Sequence, residues 1–165
     1  MSLFEPVFVA LNAAEARYVV VGGLATVLHG YARLTADIDM IVDLDPVELK
    51  KTLTAMAALG LRPRAPVDPL AFADEKVRQS WIADKGMTVF SFWDPKVPMR
   101  EVDLFVEHPL PFAELWARSD LVKLENTTVR IASIFDLIAL KRLAGRPEDL
   151  QDIEALEAIV RQRQP

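Results

Sequence analysis

Near the end of the segment VVVGGLATVLHGYARLTADIDMIVD, Val19 to Asp43, two aspartates two residues apart interrupt an apolar, strand-like run. Successive side chains of a strand alternate between faces. Asp37 and Asp39 therefore project together, while Ile38, Met40 and Val42 project the other way into a core. Carboxylates are almost never buried without a partner. Any fold open to this chain must keep the aspartate face wet or bring positive charge to it.

The rest of the chain supplies material for a substantial core. With 165 residues, 52% hydrophobic and 26% charged, it suits one compact domain and not a disordered segment. The apolar runs, such as Tyr18 to Val21 and Ile131 to Leu140, fall short of the roughly 20 residues that cross a bilayer, so no membrane span is expected. No basic residue precedes the apolar start, and Glu5 and Pro6 interrupt it, which argues against a signal peptide. Cysteine is absent, which excludes disulfides and thiolate metal sites and agrees with a cytoplasmic location. A net charge of −5 disfavours broad binding along a nucleic-acid backbone and leaves a local basic patch from Lys141, Arg142, Arg146, Arg161 and Arg163.

Local signals predict an α/β (α+β) order. Helices are expected over Leu3 to Ala16, Leu24 to His29, Asp45-Pro46 to Leu59, Phe72 to Lys85 and Pro111 to Ser119. Asp45 reads as an N-cap with Pro46 at the first helical position, and Gly60 and Gly86 as stops. Strands are expected over Tyr18 to Val21, Ile38 to Leu44, Met87 to Trp93 and Glu101 to Glu107, with a proline-bearing turn over Asp94 to Met99. Two small strands follow within Leu121 to Ile131. Ser133 or Asp136 then caps a helix to Leu143, and a final helix runs through Val160. This order reads as a mixed body over 1–131 with a helical pair over 132–165 packed on it in one compact domain.

Two carboxylates held side by side repel, and a divalent cation is an economical remedy. Mg²⁺ takes oxygen ligands and commonly binds one or two carboxylates together with substrate phosphates. A second carboxylate lets a pair of ions sit about 3.5–4 Å apart across an in-line phosphoryl displacement. Asp103, in a strand of similar pattern, offers a third ligand. Glu101 and Glu107 share its face and are either ligands or solubilising charge. Upstream, Gly22-Gly23 ends a strand and opens a helix, where backbone can approach a phosphate closely. His29 reads as a packed histidine, and Trp81, Trp93 and Trp116 as core or cleft wall.

Gly22-Gly23, Asp37-Ile38-Asp39 and the later Asp103 together resemble the nucleotidyltransferase superfamily of the DNA polymerase β type. The stretch GGLATVLHGYARLTADIDMIVD looks most like the AbiEii-type branch, whose Arg-x-Thr-x-Asp-Ile-Asp string stands here as Arg33, Thr35, Asp37, Ile38 and Asp39. DLIALKRLAGRPEDLQDIEAL is similar to that branch's helical segment through Lys141, Arg146 and either Asp149 or Asp152. Where many members of the superfamily carry serine after the first glycine, this chain has Gly23.

The resemblance implies a mixed nucleotidyltransferase-type sheet flanked by helices. It also implies Mg²⁺ or Mn²⁺ held by Asp37, Asp39 and Asp103, a nucleoside triphosphate (NTP) substrate, and transfer of the monophosphate to a hydroxyl on RNA or tRNA, a protein or a small molecule. Asp103 would help deprotonate that hydroxyl. Gly22, Gly23, Arg33, Thr35 and Lys141 would bind the nucleotide, Lys141 at the triphosphate. Relatives of this kind also occur in toxin–antitoxin pairs, so the alternative is a non-catalytic nucleotide-binding or regulatory subunit with an antitoxin or HEPN-type partner.

Overall fold

The computed structural model describes residues 3–163. A seven-stranded mixed sheet forms the centre, in the order β3-β4-β5-β2-β1-β7-β6. Its strands are β1 (Tyr18–Val21), β2 (Asp37–Val42), β3 (Arg62–Pro63), β4 (Val89–Asp94), β5 (Val97–Phe105), β6 (Asp120–Lys123) and β7 (Thr128–Ile131). β1 runs antiparallel to β2, and β2 runs parallel to β5. β4 and β5 form an antiparallel hairpin across the expected turn, and the two small strands β6 and β7 also pair antiparallel. β1 is buried on both faces, which is why it reads as the unbroken apolar run YVVV.

The helices are α1 (Glu5–Ala13), α2 (Gly22–Leu28), α3 (Pro46–Leu59), α4 (Glu75–Lys85), α5 (Phe112–Arg118), α6 (Ile134–Ala144) and α7 (Pro147–Arg163). α3 begins and ends where its punctuation says. The Asp45 carboxylate accepts from the backbone N–H groups of Val47 and Glu48 at 3.0 and 3.3 Å, and Gly60 closes the helix at φ +96°. Ser133, not Asp136, caps α6 by accepting from the Asp136 N–H at 3.1 Å. α6 and α7 pack on each other, α6 also meets α2, and Leu137 and Leu156 enter the common core.

Three expectations are corrected. The first helix is shorter than Leu3 to Ala16, ending at Ala13 before Glu15 turns to φ +52°. The expected helix over Phe72 to Lys85 is broken. A 3-10 turn occupies Pro69–Ala73, and Asp74 starts α4 afresh by accepting from the N–H groups of Lys76 and Val77 at 2.8 and 3.3 Å. The break lets Phe72 leave the helix line and stack on Phe90 at 5.1 Å and Trp81 at 6.4 Å, while Arg78 donates to the Phe72 carbonyl at 2.7 Å. The turn expected over Asp94 to Met99 contracts to Pro95 and Lys96, because β5 already starts at Val97. Pro98 is tolerated there since β2 pairs with β5 only from Glu101 onward, leaving this end of the strand without a second neighbour.

Candidate active site

The aspartates meet across a parallel register. Asp39 on β2 is the direct partner of Asp103 on β5, and Asp37 that of Glu101. One oxygen from each of Asp37, Asp39 and Asp103 lies within 4.8 Å of the others. Ile38 and Met40, on the opposite parity, are fully buried. The aspartates are only partly buried, and their shared face lines a cleft of about 740 Å³.

Electrostatics there are unfavourable as they stand. Burial raises the Asp39 carboxyl from 3.8 to about 7, and the charges of Asp37 and Asp103 push the same way against weaker help from Arg146 and Lys141. Burial also raises Asp103, and its Oδ1 is buried without a hydrogen-bond partner. An orphaned carboxylate oxygen beside two further carboxylates is a hard, all-oxygen donor set that fits Mg²⁺ or Mn²⁺. Glu101, left open as a ligand, is taken by Arg64, which grips it with two hydrogen bonds of 2.9 and 2.7 Å and holds its carboxyl below the ordinary value. Glu107 is exposed beyond the end of β5.

Gly22 is pressed against this cluster because Val21, the residue before it, is the register partner of Asp39. Its φ is +64°, and a Cβ there would stand 1.9 Å from Asp39 Oδ2, so both backbone and space demand glycine. Gly23 meets the loop before β2 less closely. A Cβ on it would lie 2.8 Å from Thr35 Oγ1 and 3.6 Å from Arg33 Cζ. Thr35 donates to the Asp37 carbonyl at 3.3 Å and so tacks this loop to the start of β2. Gly22, Gly23, Arg33, Thr35 and Lys141 thus line the same cleft as the aspartates.

Lys141 is not a free ammonium reaching into that cleft. It is 4% exposed and donates to Asp152 at 2.6 Å, with Asp149 at 3.5 Å. Arg33 also pairs with Asp152, and Arg146 grips Asp149 through Nε at 3.0 Å. Burial alone would raise Asp149, but its bonds to Arg146 hold it below the ordinary value. Both aspartates left as alternatives are therefore engaged, joining α6, α7 and the loop before β2. With Glu148 3.9 Å from Arg146, three cations stand against three anions here, facing the three carboxylates. Within the wider basic patch, Arg142 bonds Glu157 at 2.6 Å, Arg163 donates to the His29 carbonyl at 3.0 Å, and Arg161 is exposed. His29 is itself a packed residue, its Nε2 2.8 Å from the Ala132 carbonyl oxygen.

Sequence reasoning missed Arg64, Val89 and Phe105. Phe105 was open to parity, two residues beyond Asp103 on the same face. Val89 joins it only through strand register, and Arg64 only through its hydrogen bonds to Glu101.

Among solved structures, the chain is similar to the lincosamide antibiotic adenylyltransferase LnuA in its lincomycin-bound form. The TM-score is 0.62 at 14% identity, covering 96% of each chain. It is also similar to ANT(2")-Ia in complex with adenylyl-2"-tobramycin, with a TM-score of 0.59 at 14% identity, covering 94% of this chain and 86% of that one. At such identity these likenesses establish the fold. No curated protein matches the sequence. A family model matches residues 3–162, almost the whole chain, and by that match the protein belongs to the nucleotidyltransferases of unknown function grouped as DUF6036.

Proposed function

We propose that this nucleotidyltransferase moves a nucleoside monophosphate from an NTP to the hydroxyl of a small molecule, using a divalent cation held by Asp37, Asp39 and Asp103. The observation that carries the reading is the convergence of these three carboxylates, with Asp103 Oδ1 unpaired, beside the closely approached backbone of Gly22. Asp37, Asp39 and Asp103 would hold Mg²⁺ or Mn²⁺, which would supply charge neutralisation and polarisation of the phosphate.

The chain's own groups position the rest. Gly22 and Gly23 let phosphate oxygens come close to backbone, where any side chain would collide. Arg33 and Arg146, with the buried Lys141 behind them, place cationic donors on the side of the cleft that receives the leaving pyrophosphate. The acceptor oxygen forms a new bond to the α-phosphorus as the bridge between α- and β-phosphates breaks, and its proton passes to the Asp103 carboxylate. A small-molecule acceptor is supported by the cleft of about 740 Å³, a size typical of ligand pockets, and by the small acceptors carried by LnuA and ANT(2")-Ia.

The test is pyrophosphate release from each NTP with Mg²⁺ and a small-molecule cell extract. Release by the wild type that disappears in Asp39→Asn, with the variant still folded, is expected. An undiminished rate in Asp39→Asn rules out the mechanism.

A further inference from the structure

Apart from the three aspartates, the charged side chains of the cleft gather on one side, with Glu148, Asp149 and the apolar Leu137, Leu140 and Leu143 among them, and that placement follows the sheet order. Arg33, Lys141 and Arg146 lie on the loop before β2 and on the α6–α7 pair, around α2 and the glycines that follow β1. Across the aspartates, on the β4–β5 side, the lining is Thr88, Val89, Phe105 and Pro109. Val89 and Phe105 are direct cross-strand partners, and two residues along the same face stand Ser91 and Asp103, partners in their turn. Both Val89 and Phe105 are partly buried. Among the described residues, Asp103 is the one charged side chain of β4 or β5 that lines the cleft, since Glu101 is claimed by Arg64.

In-line transfer sets the attacking oxygen opposite the leaving oxygen. With the pyrophosphate among the cations and glycines, the acceptor hydroxyl has to arrive past Asp103, over the Val89–Phe105 pair. A polycationic acceptor brought onto that wall loses hydration and finds no carboxylate to replace it, because Asp103 faces the cation site. A neutral molecule with an apolar face loses little there and covers both side chains. Resting on the nucleotidyl-transfer reading above, we propose that Val89 and Phe105 form the acceptor subsite and select a neutral hydroxyl compound with an apolar face over a polycation.

The experiment uses the full chain with Mg²⁺ and α,β-methylene-ATP, whose binding is first measured by calorimetry. Octyl β-D-glucoside below its micelle concentration and tobramycin are then titrated separately while valine methyl signals are followed by NMR, with Val89→Ile assigning Val89. The glucoside is expected to shift the Val89 methyls and to bind at least ten-fold more tightly than tobramycin. Val89→Asp should reduce that ratio at least ten-fold. Equal or tighter binding of tobramycin at Val89, or no Val89 shift with either probe, overturns the subsite. If neither this nucleotide analogue nor the α,β-methylene analogues of GTP, CTP and UTP bind, the nucleotidyl-transfer reading falls and takes the subsite with it. If the analogue binds and the glucoside does not, only the subsite falls.

Discussion

Replacing Asp39 by Asn should make the cation-free protein more stable while removing transfer. In the folded chain its carboxyl is raised from 3.8 to about 7, first by burial and then by Asp37 and Asp103. Between those two pH values the folded state holds a proton that the unfolded chain has released. Stability therefore falls as pH rises from about 4 to about 7, and the full penalty stands above that. A displacement of this size corresponds to about 4 kcal/mol. Asn removes the charge but keeps a partly buried amide, so about 2 kcal/mol of gain is expected at pH 8, worth about 4–8 °C for a chain of this length. The assay is urea unfolding in EDTA, wild type against Asp39→Asn, at pH 4.5 and pH 8. The gain should appear at pH 8 and turn into a loss of about 1 kcal/mol at pH 4.5, where the carboxyl penalty has fallen to about 1 kcal/mol and the amide cost remains, with the slope against urea unchanged. Saturating Mg²⁺, at about one hundred times its Kd, should then stabilise the wild type by about 2.7 kcal/mol and leave the variant untouched. A variant no more stable than wild type at pH 8, or one equally favoured at both pH values, refutes the electrostatic account.

Two further outcomes follow from the same cluster. Gly22→Ala puts a Cβ 1.9 Å from Asp39 Oδ2 at φ +64°, so the carboxylate must move. A stability loss of about 1–2 kcal/mol and disappearance of the Mg²⁺-dependent thermal shift are expected, and a retained shift counts against the glycine's role. Asp152→Ala leaves the buried Lys141 with only Asp149 at 3.5 Å, and strands Arg33 as well. It should lower the urea midpoint by the equivalent of about 3–5 kcal/mol, part of which Lys141→Met in the same background restores.

The sequence by itself determined the elements whose causes lie within a few residues. Asp45, Pro46 and Gly60 bound α3 because capping and left-handed closure are local events. Asp37 and Asp39 share a face because strand geometry alternates, and Asp103 shows the same pattern on its own strand. Where a local competitor was overlooked, as with Asp74 capping α4, the expected helix came out too long.

Only the tertiary structure decided what each charged group meets. The parallel register that opposes Asp39 to Asp103, the packing of Gly22 on Asp39, the capture of Glu101 by Arg64 and the burial of Lys141 between Asp149 and Asp152 all join residues from separate elements. Spacing along the chain does not set such pairings. They follow from how a whole core packs, since a register slip of one residue would turn Ile38, Met40 and Val42 toward the cleft.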